Sequence, residues 1–382
     1  MDKAHAARNI CAVLTREGYR ALLAGGCVRD MLLERTPQDY DVATDARPEA
    51  VMACFPKTIG TGAKFGVVIV VCDAGFFEVA TFRADGPYLD GRHPSIVTFT
   101  EEEQDARRRD FTINAMFYDP ETDAILDYVG GMADLKAHTL RAVGDPRIRF
   151  EEDRLRLLRA VRFASRLEYQ IEANTYEALC ALADQIVSTS AERIRDEVLK
   201  MLTEGQAQAA FHILEQTGLL EAILPEVAAM RGVEQPEGFH PEGDVWQHTL
   251  LLLAQLPAGA SPTVAFAALL HDVGKPVTQT FEDRIRFNLH EKAGARITEA
   301  ICRRLRMSNT DTRRIVWLVE NHMRLKDFMN MRKHRRIYFA REEGFAELLQ
   351  VCRMDALASH GDTAFIDEVE GYVASLEKET MK

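Results

Sequence analysis

The chain changes texture near Asp145, and this change limits its fold more than any other feature. Up to about Leu140, short runs rich in Val, Ile and Phe alternate with helical patterns, punctuated by glycine and proline. Residues 4–17 predict a helix. Residues 21–26 predict a short strand closing on a glycine turn, and residues 27–35 a helix starting there. The runs 39–44, 66–71 and 76–82 predict strands. From Asp145 onward helical periodicity dominates. Interleaved strands and helices followed by a long helical stretch predict an α+β fold: a small mixed-sheet head, a helical middle and an all-helical third domain. The segment Pro225–Asp244, rich in proline, glycine and acid, is the predicted linker. The expected boundaries are 1–140, 141–225 and 240–382, which suits about one domain per 150 residues.

No apolar stretch approaches the roughly 20 residues that span a bilayer. The N-terminus lacks the apolar core of a signal peptide, so a cytoplasmic protein with no membrane partner is expected. The seven cysteines are scattered and form no CxxC pair, which argues against a disulfide framework and a cysteine zinc knuckle. A net charge of −12 is unusual for a nucleic-acid binder, but binding depends on local patches. Basic residues are dense over Arg141–Arg166 and Arg303–Arg341. Singly they read as solvated, salt-bridged surface; as stripes they suit phosphate.

Gly25 and Gly26 fall between a predicted strand and a predicted helix. Glycine lets backbone N–H groups approach phosphate, and a helix N-terminus favours anions. By itself such a pair marks only a turn. Asp39 and Asp41 flank Tyr40 in the next predicted strand, where residues two apart share a face. Adjacent carboxylates repel unless a cation lies between them; a pair of Mg²⁺ ions fits and would also hold a nucleoside triphosphate. Glu78, on a neighbouring strand, is either a third carboxylate or a solvent-facing residue.

The run GGCVRD (residues 25–30) followed by Asp39-Tyr40-Asp41 resembles the signature of the class II tRNA nucleotidyltransferase and poly(A) polymerase family. Further matches follow in the family's order: KFGVV (64–68), EVATFR (78–83), YLDGRHP (88–94), RRDFTINA (108–115), EEDRLRLLRAVRF (151–163) and SAERIRDE (190–197). The resemblance implies a nucleotidyltransferase head in which an RNA 3′-hydroxyl attacks the α-phosphate of ATP or CTP. It implies Asp39 and Asp41 as Mg²⁺ ligands, with Gly25, Gly26 and Arg29 near the triphosphate. Arg29 is also a plausible partner for Asp30. Arg109, Asp110 and Asn114 would meet sugar and phosphates, with Arg108 and Arg109 offering paired donors. Glu152, Asp153, Arg156 and Arg159 fall on the family's nucleotide-selecting segment. Read as one helix, it makes Asp153 and Arg156 neighbours at i, i+3, either as an intrahelical ion pair or as a template. Aspartate accepts and arginine donates; cytosine and adenine each place an amino donor beside a ring-nitrogen acceptor, whereas guanine and uracil reverse that order. Arg83, Asp85, Tyr88, Asp90 and Arg92 resemble the family's flexible loop.

A second constellation follows the predicted linker: His248, the run ALLHDVGK (268–275) with His271 and Asp272, then His290, His322 and Asp355. It resembles the HD phosphohydrolase superfamily. Imidazole and carboxylate together suit Mn²⁺, Fe²⁺, Ni²⁺, Zn²⁺ or, more weakly, Mg²⁺. His248, His271, Asp272 and Asp355 match the usual ligand set; His290 and His322 would bind a second metal or a substrate phosphate, and Lys275 would face phosphate.

The reading favoured by the sequence is template-independent addition of C and A to the 3′ end of tRNA, gripped through the shape and phosphates of its acceptor and TΨC arms. Addition of CC alone, of A alone, or of poly(A) is the alternative within the class. An HD phosphohydrolase that uses the head only to bind RNA, and a non-catalytic RNA-binding protein, are the alternatives outside it.

Overall fold

The computed structural model describes residues 2–86, 96–235, 243–281 and 284–380. Tyr88, Asp90 and Arg92 lie outside the described residues. The chain divides into two compact units: Met1–Ala160 with Leu167–Leu182, and Val161–Arg166 with Ala183–Lys382. Among the described residues, no helix is long and apolar enough to cross a membrane.

The first unit is built on a seven-stranded mixed sheet. Its strands are β1 (Ala21–Ala24), β2 (Asp41–Thr44), β3 (Thr58–Ile59), β4 (Val67–Cys72), β5 (Gly75–Thr81), β8 (Met116–Asp119) and β9 (Ala124–Asp127), in the order β3-β4-β5-β2-β1-β8-β9. Two further strands, β6 (Arg83–Asp85) and β7 (Val97–Phe99), pair as a separate ribbon. Neighbours in the large sheet run antiparallel except β2 and β5, which are parallel with Val42 opposite Val79. Stepping back one residue in each strand puts Asp41 beside Glu78. Both side chains face outward, because Val42 and Val79 point into the core. That core gathers Leu22, Ala24, Ala43, Phe82, Ala106, Ala115, Phe117 and Val143, with Phe82 and Phe117 meeting edge to face at 5.9 Å.

Two expectations are corrected here. Asp39 is not part of the strand: β2 begins at Asp41, paired to Ala24, the last residue of β1. Beyond Ala24 the partner chain turns away at Gly25, so no backbone remains to pair with Asp39. The segment around Asp153 is not one helix either. Asp145 caps a helix over Pro146–Glu152, Asp153 is extended (φ −143°, ψ 103°), and a second helix runs over Leu155–Leu167. The Asp153 carboxylate accepts a hydrogen bond from Leu155 N at 3.1 Å, a local bond that competes with helix continuation.

Among its described residues, the second unit is helical apart from one short ribbon, Gln279–Phe281 against Ile285–Phe287. Ala183–Lys382 groups as one compact unit that includes the segment Pro225–Asp244. Pro225–Ala228 is a helical turn, and the flanks of the segment are tied by Val245 N to Val233 O at 3.0 Å and Gly232 N to Asp244 Oδ2 at 2.6 Å. The helix Pro262–Leu270 is apolar all round and buried from Val264 to Leu270, so it is central and delivers His271 and Asp272 to the interior. Around it pack Ala191–Thr203, Val245–Leu253, Asn309–Asn321 and Phe345–Ser359.

Candidate functional site

In the first unit the outward pair Asp41 and Glu78 stands beside the glycine turn. Gly25 has φ +75° and ψ −130°, a conformation that favours glycine, and a Cβ there would lie 3.0 Å from Arg109 Nη1, tight against the guanidinium. Arg109 is fixed by Asp105, which accepts from its Nη2 at 2.9 Å, and Asp105 also receives Arg108 at 2.6 Å. Asp105 is 1% exposed; burial would raise its carboxyl, but Arg109 and Arg108 more than offset this and hold it below the usual range. Sequence reasoning missed Asp105, although its i, i+3 and i, i+4 spacing to Arg108 and Arg109 was the available signal.

Asp41 is open to solvent yet ringed by protein atoms. That crowding, with the charges of Glu78 and Asp39, pushes its carboxyl up to about 6 against the pull of Arg109. Asp39 lies apart, highly exposed, with Lys3 Nζ 3.0 Å from its Oδ1.

Arg29 does not face solvent. It is 3% exposed, donates from Nη1 to Asn114 Oδ1 at 2.6 Å, and pairs with Asp30 at 2.7 Å, so it braces the turn from behind. Asn114 in turn faces Asp110, which Arg159 grips at 2.6 Å. Burial would raise the Asp110 carboxyl, but Arg159 brings it down to about 2. Arg156 reaches Glu152 (Nη1 to Oε2, 2.7 Å), where the i, i+3 reading had placed Asp153, and also donates to the carbonyls of Arg149 and Arg108.

In the second unit, five helices bring the predicted ligands together. Two triads form: His248, His271 and Asp355, and Asp272, His290 and His322, each with its ligand atoms within 4.8 Å of one another. Asp272 spans them, with Oδ2 3.2 Å from His271 Nε2 and Oδ1 3.4 Å from His290 Nε2. All six residues are buried. The ring nitrogen Nδ1 of His271, His290 and His322 lies 2.9, 2.9 and 2.6 Å from the carbonyls of Ala268, Phe287 and Val319. In the tautomer in which each carbonyl accepts from Nδ1–H, Nε2 carries the lone pair and is free to face a metal. His290 Nε2 and His322 Nε2 are 3.2 Å apart, two lone pairs that a shared cation would reconcile. Burial and His271 hold His322 down to about 3, so it is neutral, as a metal ligand must be. Burial opposes ionisation of Asp272 and Asp355, but the surrounding imidazoles, with Lys275 at Asp272 and Lys326 at Asp355, keep both carboxyls below the usual range. Lys275 is committed to this centre, donating to Asp272 Oδ2 at 2.6 Å and Gln235 Oε1 at 2.7 Å. Gly274 permits the assembly, since a Cβ there would sit 2.1 Å from His290 O.

Three family models match successive parts of the chain. Residues 21–141 match the poly A polymerase head domain, 168–231 the probable RNA and SrmB-binding site of polymerase A, and 245–359 the HD domain. The chain carries the head and RNA-binding domains of the poly(A) polymerase family, followed by an HD domain. Among its relatives, the CCA-adding enzyme of Lactobacillus johnsonii is 40% identical over 67% of this chain and 65% of its own length. That of Geobacillus thermodenitrificans is 44% identical over 58% and 55%. Poly(A) polymerase I of Haemophilus influenzae is 37% identical over 60% and 53%. The matched region thus spans less than two thirds of each of these relatives. The solved CCA-adding enzyme of Bacillus stearothermophilus in complex with CTP superposes with a TM-score of 0.73 at 28% identity, over 98% of this chain and 84% of that one. The Thermotoga maritima CCA-adding enzyme complexed with tRNA shares the fold, with a TM-score of 0.61 at 17% identity over 97% and 81%. Nucleotidyltransferases of this family use divalent metal ions, typically Mg²⁺.

Proposed function

We propose that the chain adds C and A nucleotides to the 3′ end of tRNA from CTP and ATP. The observation that carries this reading is the outward pairing of Asp41 with Glu78 beside a glycine turn over which Arg109 is held. The crowding that raises Asp41, reinforced by the charge of Glu78, fits a cation site. Asp41, Glu78 and Asp39, once Asp39 leaves Lys3, would hold Mg²⁺, which when bound lowers the pKa of the attacking hydroxyl and offsets charge on the leaving pyrophosphate. The chain's own residues do the positioning: the turn at Gly25 and Gly26 admits phosphate, Arg109 supplies donors, and Arg29 and Asn114 brace the turn. As the 3′-oxygen bonds to the α-phosphorus, the bond to the β-phosphate oxygen breaks. Asp153 offers acceptors and Arg156 donors to the base, with Arg156 held in place by Glu152. Cytosine and adenine match that polarity; guanine and uracil oppose it. In this reading residues 1–140 catalyse, 141–225 select nucleotides and bind RNA, and the protein works in the cytoplasm.

The two buried triads favour a second activity, a phosphohydrolase whose ions (Mn²⁺, Ni²⁺ or Mg²⁺) would be held by His248, His271, Asp355, Asp272, His290 and His322. The lone-pair Nε2 atoms fit that demand.

The test is to supply tRNAs ending before CCA, after C and after CC with CTP and ATP, separately and together, and to sequence the products. Each tRNA should be completed to CCA and no further. Runs of A, or no extension of any tRNA, would overturn the reading.

A further inference from the structure

We propose that Arg149 is a positioning residue for base selection: it fixes the acceptors that hold Arg156, and so sets how strictly cytosine is told from uracil; this rests on the nucleotidyl-transfer reading above. Arg149 lies in the helix Pro146–Glu152, ahead of the break at Asp153, and Arg156 lies in the helix beyond it. The Arg149 side chain is largely buried. Its Nη1 donates to Glu152 Oε2 at 2.8 Å and to Arg108 O at 3.1 Å. Its Nη2 donates to Arg107 O at 2.8 Å and its Nε to Val143 O at 3.2 Å. Arg156 uses two of the same acceptors. Its Nη1 reaches Glu152 Oε2 at 2.7 Å and its Nη2 reaches Arg108 O at 3.2 Å, while Nη1 also meets Arg149 O at 2.9 Å.

Two arginines thus share one carboxylate oxygen and one carbonyl. Like charges this close repel, and the Glu152 carboxylate between them offsets that repulsion. With Arg156 as its only partner, Glu152 could swing with it, since a glutamate side chain is free to rotate until packed or bonded. A second guanidinium, itself anchored on the carbonyls of Arg107, Arg108 and Val143, removes that freedom. Arg107 ends the helix Glu102–Arg107 and Arg108 caps it, where helix carbonyls lack partners of their own and need outside donors. Across the break, Arg156 N donates to Asp153 O at 3.0 Å, and the side-chain route Arg149–Glu152–Arg156 ties the same two helices. Selection by hydrogen-bond polarity needs fixed donors. A fixed Arg156 meets the ring N–H of uracil donor against donor; a loose one swings aside and tolerates it.

The full chain with Mg²⁺ and a tRNA ending before CCA tests this, given CTP or UTP as the sole nucleotide. The wild type should favour CTP in kcat/KM by about 10²-fold or more. Arg149→Lys keeps the charge but loses the fork. It should lower that ratio about tenfold, the scale of one charge-assisted hydrogen bond, by raising KM for CTP while kcat with CTP stays within about threefold. Arg149→Ala should lower the ratio further, so that lysine recovers part of the loss; if the alanine variant does not fold, the lysine variant carries the test. A residue that merely supports the fold would slow both nucleotides together, and an unchanged ratio would overturn the proposal. In a Glu152→Gln background, Arg149→Lys should change the ratio less than about twofold, because it acts through that carboxylate; full additivity would overturn it too. Equilibrium binding of CTP and UTP, with Ca²⁺ in place of Mg²⁺, separates the two ideas. If the wild type adds no C to any tRNA, the transfer reading fails. A binding preference for CTP that shrinks in Arg149→Lys still supports the positioning role, and a preference absent or unchanged defeats it.

Discussion

The two acidic centres of this molecule are built on opposite plans. In the head, Asp41 and Glu78 sit on the open face of a sheet and repel one another against the pull of Arg109, while Asp39 is occupied by a surface lysine. In the second unit every ligand is buried, three imidazoles are oriented by backbone carbonyls, and the carboxylates are held ionised. An ion that arrives with its triphosphate calls for an open and unsatisfied site. An ion that stays calls for ligands locked beforehand, because each must be desolvated and oriented in advance.

Three substitutions test the contrast. Asp41→Asn should reduce nucleotidyl transfer by about 10³-fold or more, measured as label incorporated into tRNA, since it removes a ligand that acts on the transition state. The same change should leave the melting temperature unchanged or slightly higher. The folded carboxyl, at about 6, lies above its unfolded value of about 3.9, so ionised Asp41 works against folding as pH rises between them. Asp272→Asn should do the reverse. Its folded pKa is depressed, so its stabilisation is present above the unfolded value and lost as pH falls. Removing it at pH 7 in EDTA should cost about 3 kcal/mol in denaturant melts, the scale for breaking a buried charge cluster. Equal stability of the two variants would erase the distinction. The smallest effect is expected from Lys3→Ala: below about 0.5 kcal/mol in stability and less than about threefold in Mg²⁺ affinity of the head, because the ion pair is exposed. A tenfold change would instead make Lys3 a gate.

How far each centre could be read from sequence follows the same contrast. The second was legible because short local runs carry it: ALLHDVGK holds two ligands and Gly274, whose missing side chain admits the His290 helix. Its two-triad division was hidden, since that depends on which helices meet. In the head, alternation in β5 and the run of apolar residues after Asp41 were enough to place strands, but not where β2 starts, because pairing ends with β1 at Ala24. The break at Asp153 escaped periodicity because one side-chain bond outweighs a helical pattern. Arg29 read either as a neighbour of the triphosphate or as a partner for Asp30, and its burial emerges only on folding.

The ribbon ending at Phe287 links two properties that usually evolve apart. Its final carbonyl lies against Nδ1 of His290, while the adjacent Arg286 borders a cavity of about 360 Å³ whose wall includes Asp272, His290, His322 and Asp355. A lineage that remodelled Ile285–Phe287 to accept a different molecule would shift its preference among metals in the same stroke. Divergence in this half of the molecule should therefore appear as correlated pairs of traits, never as a new appetite alone.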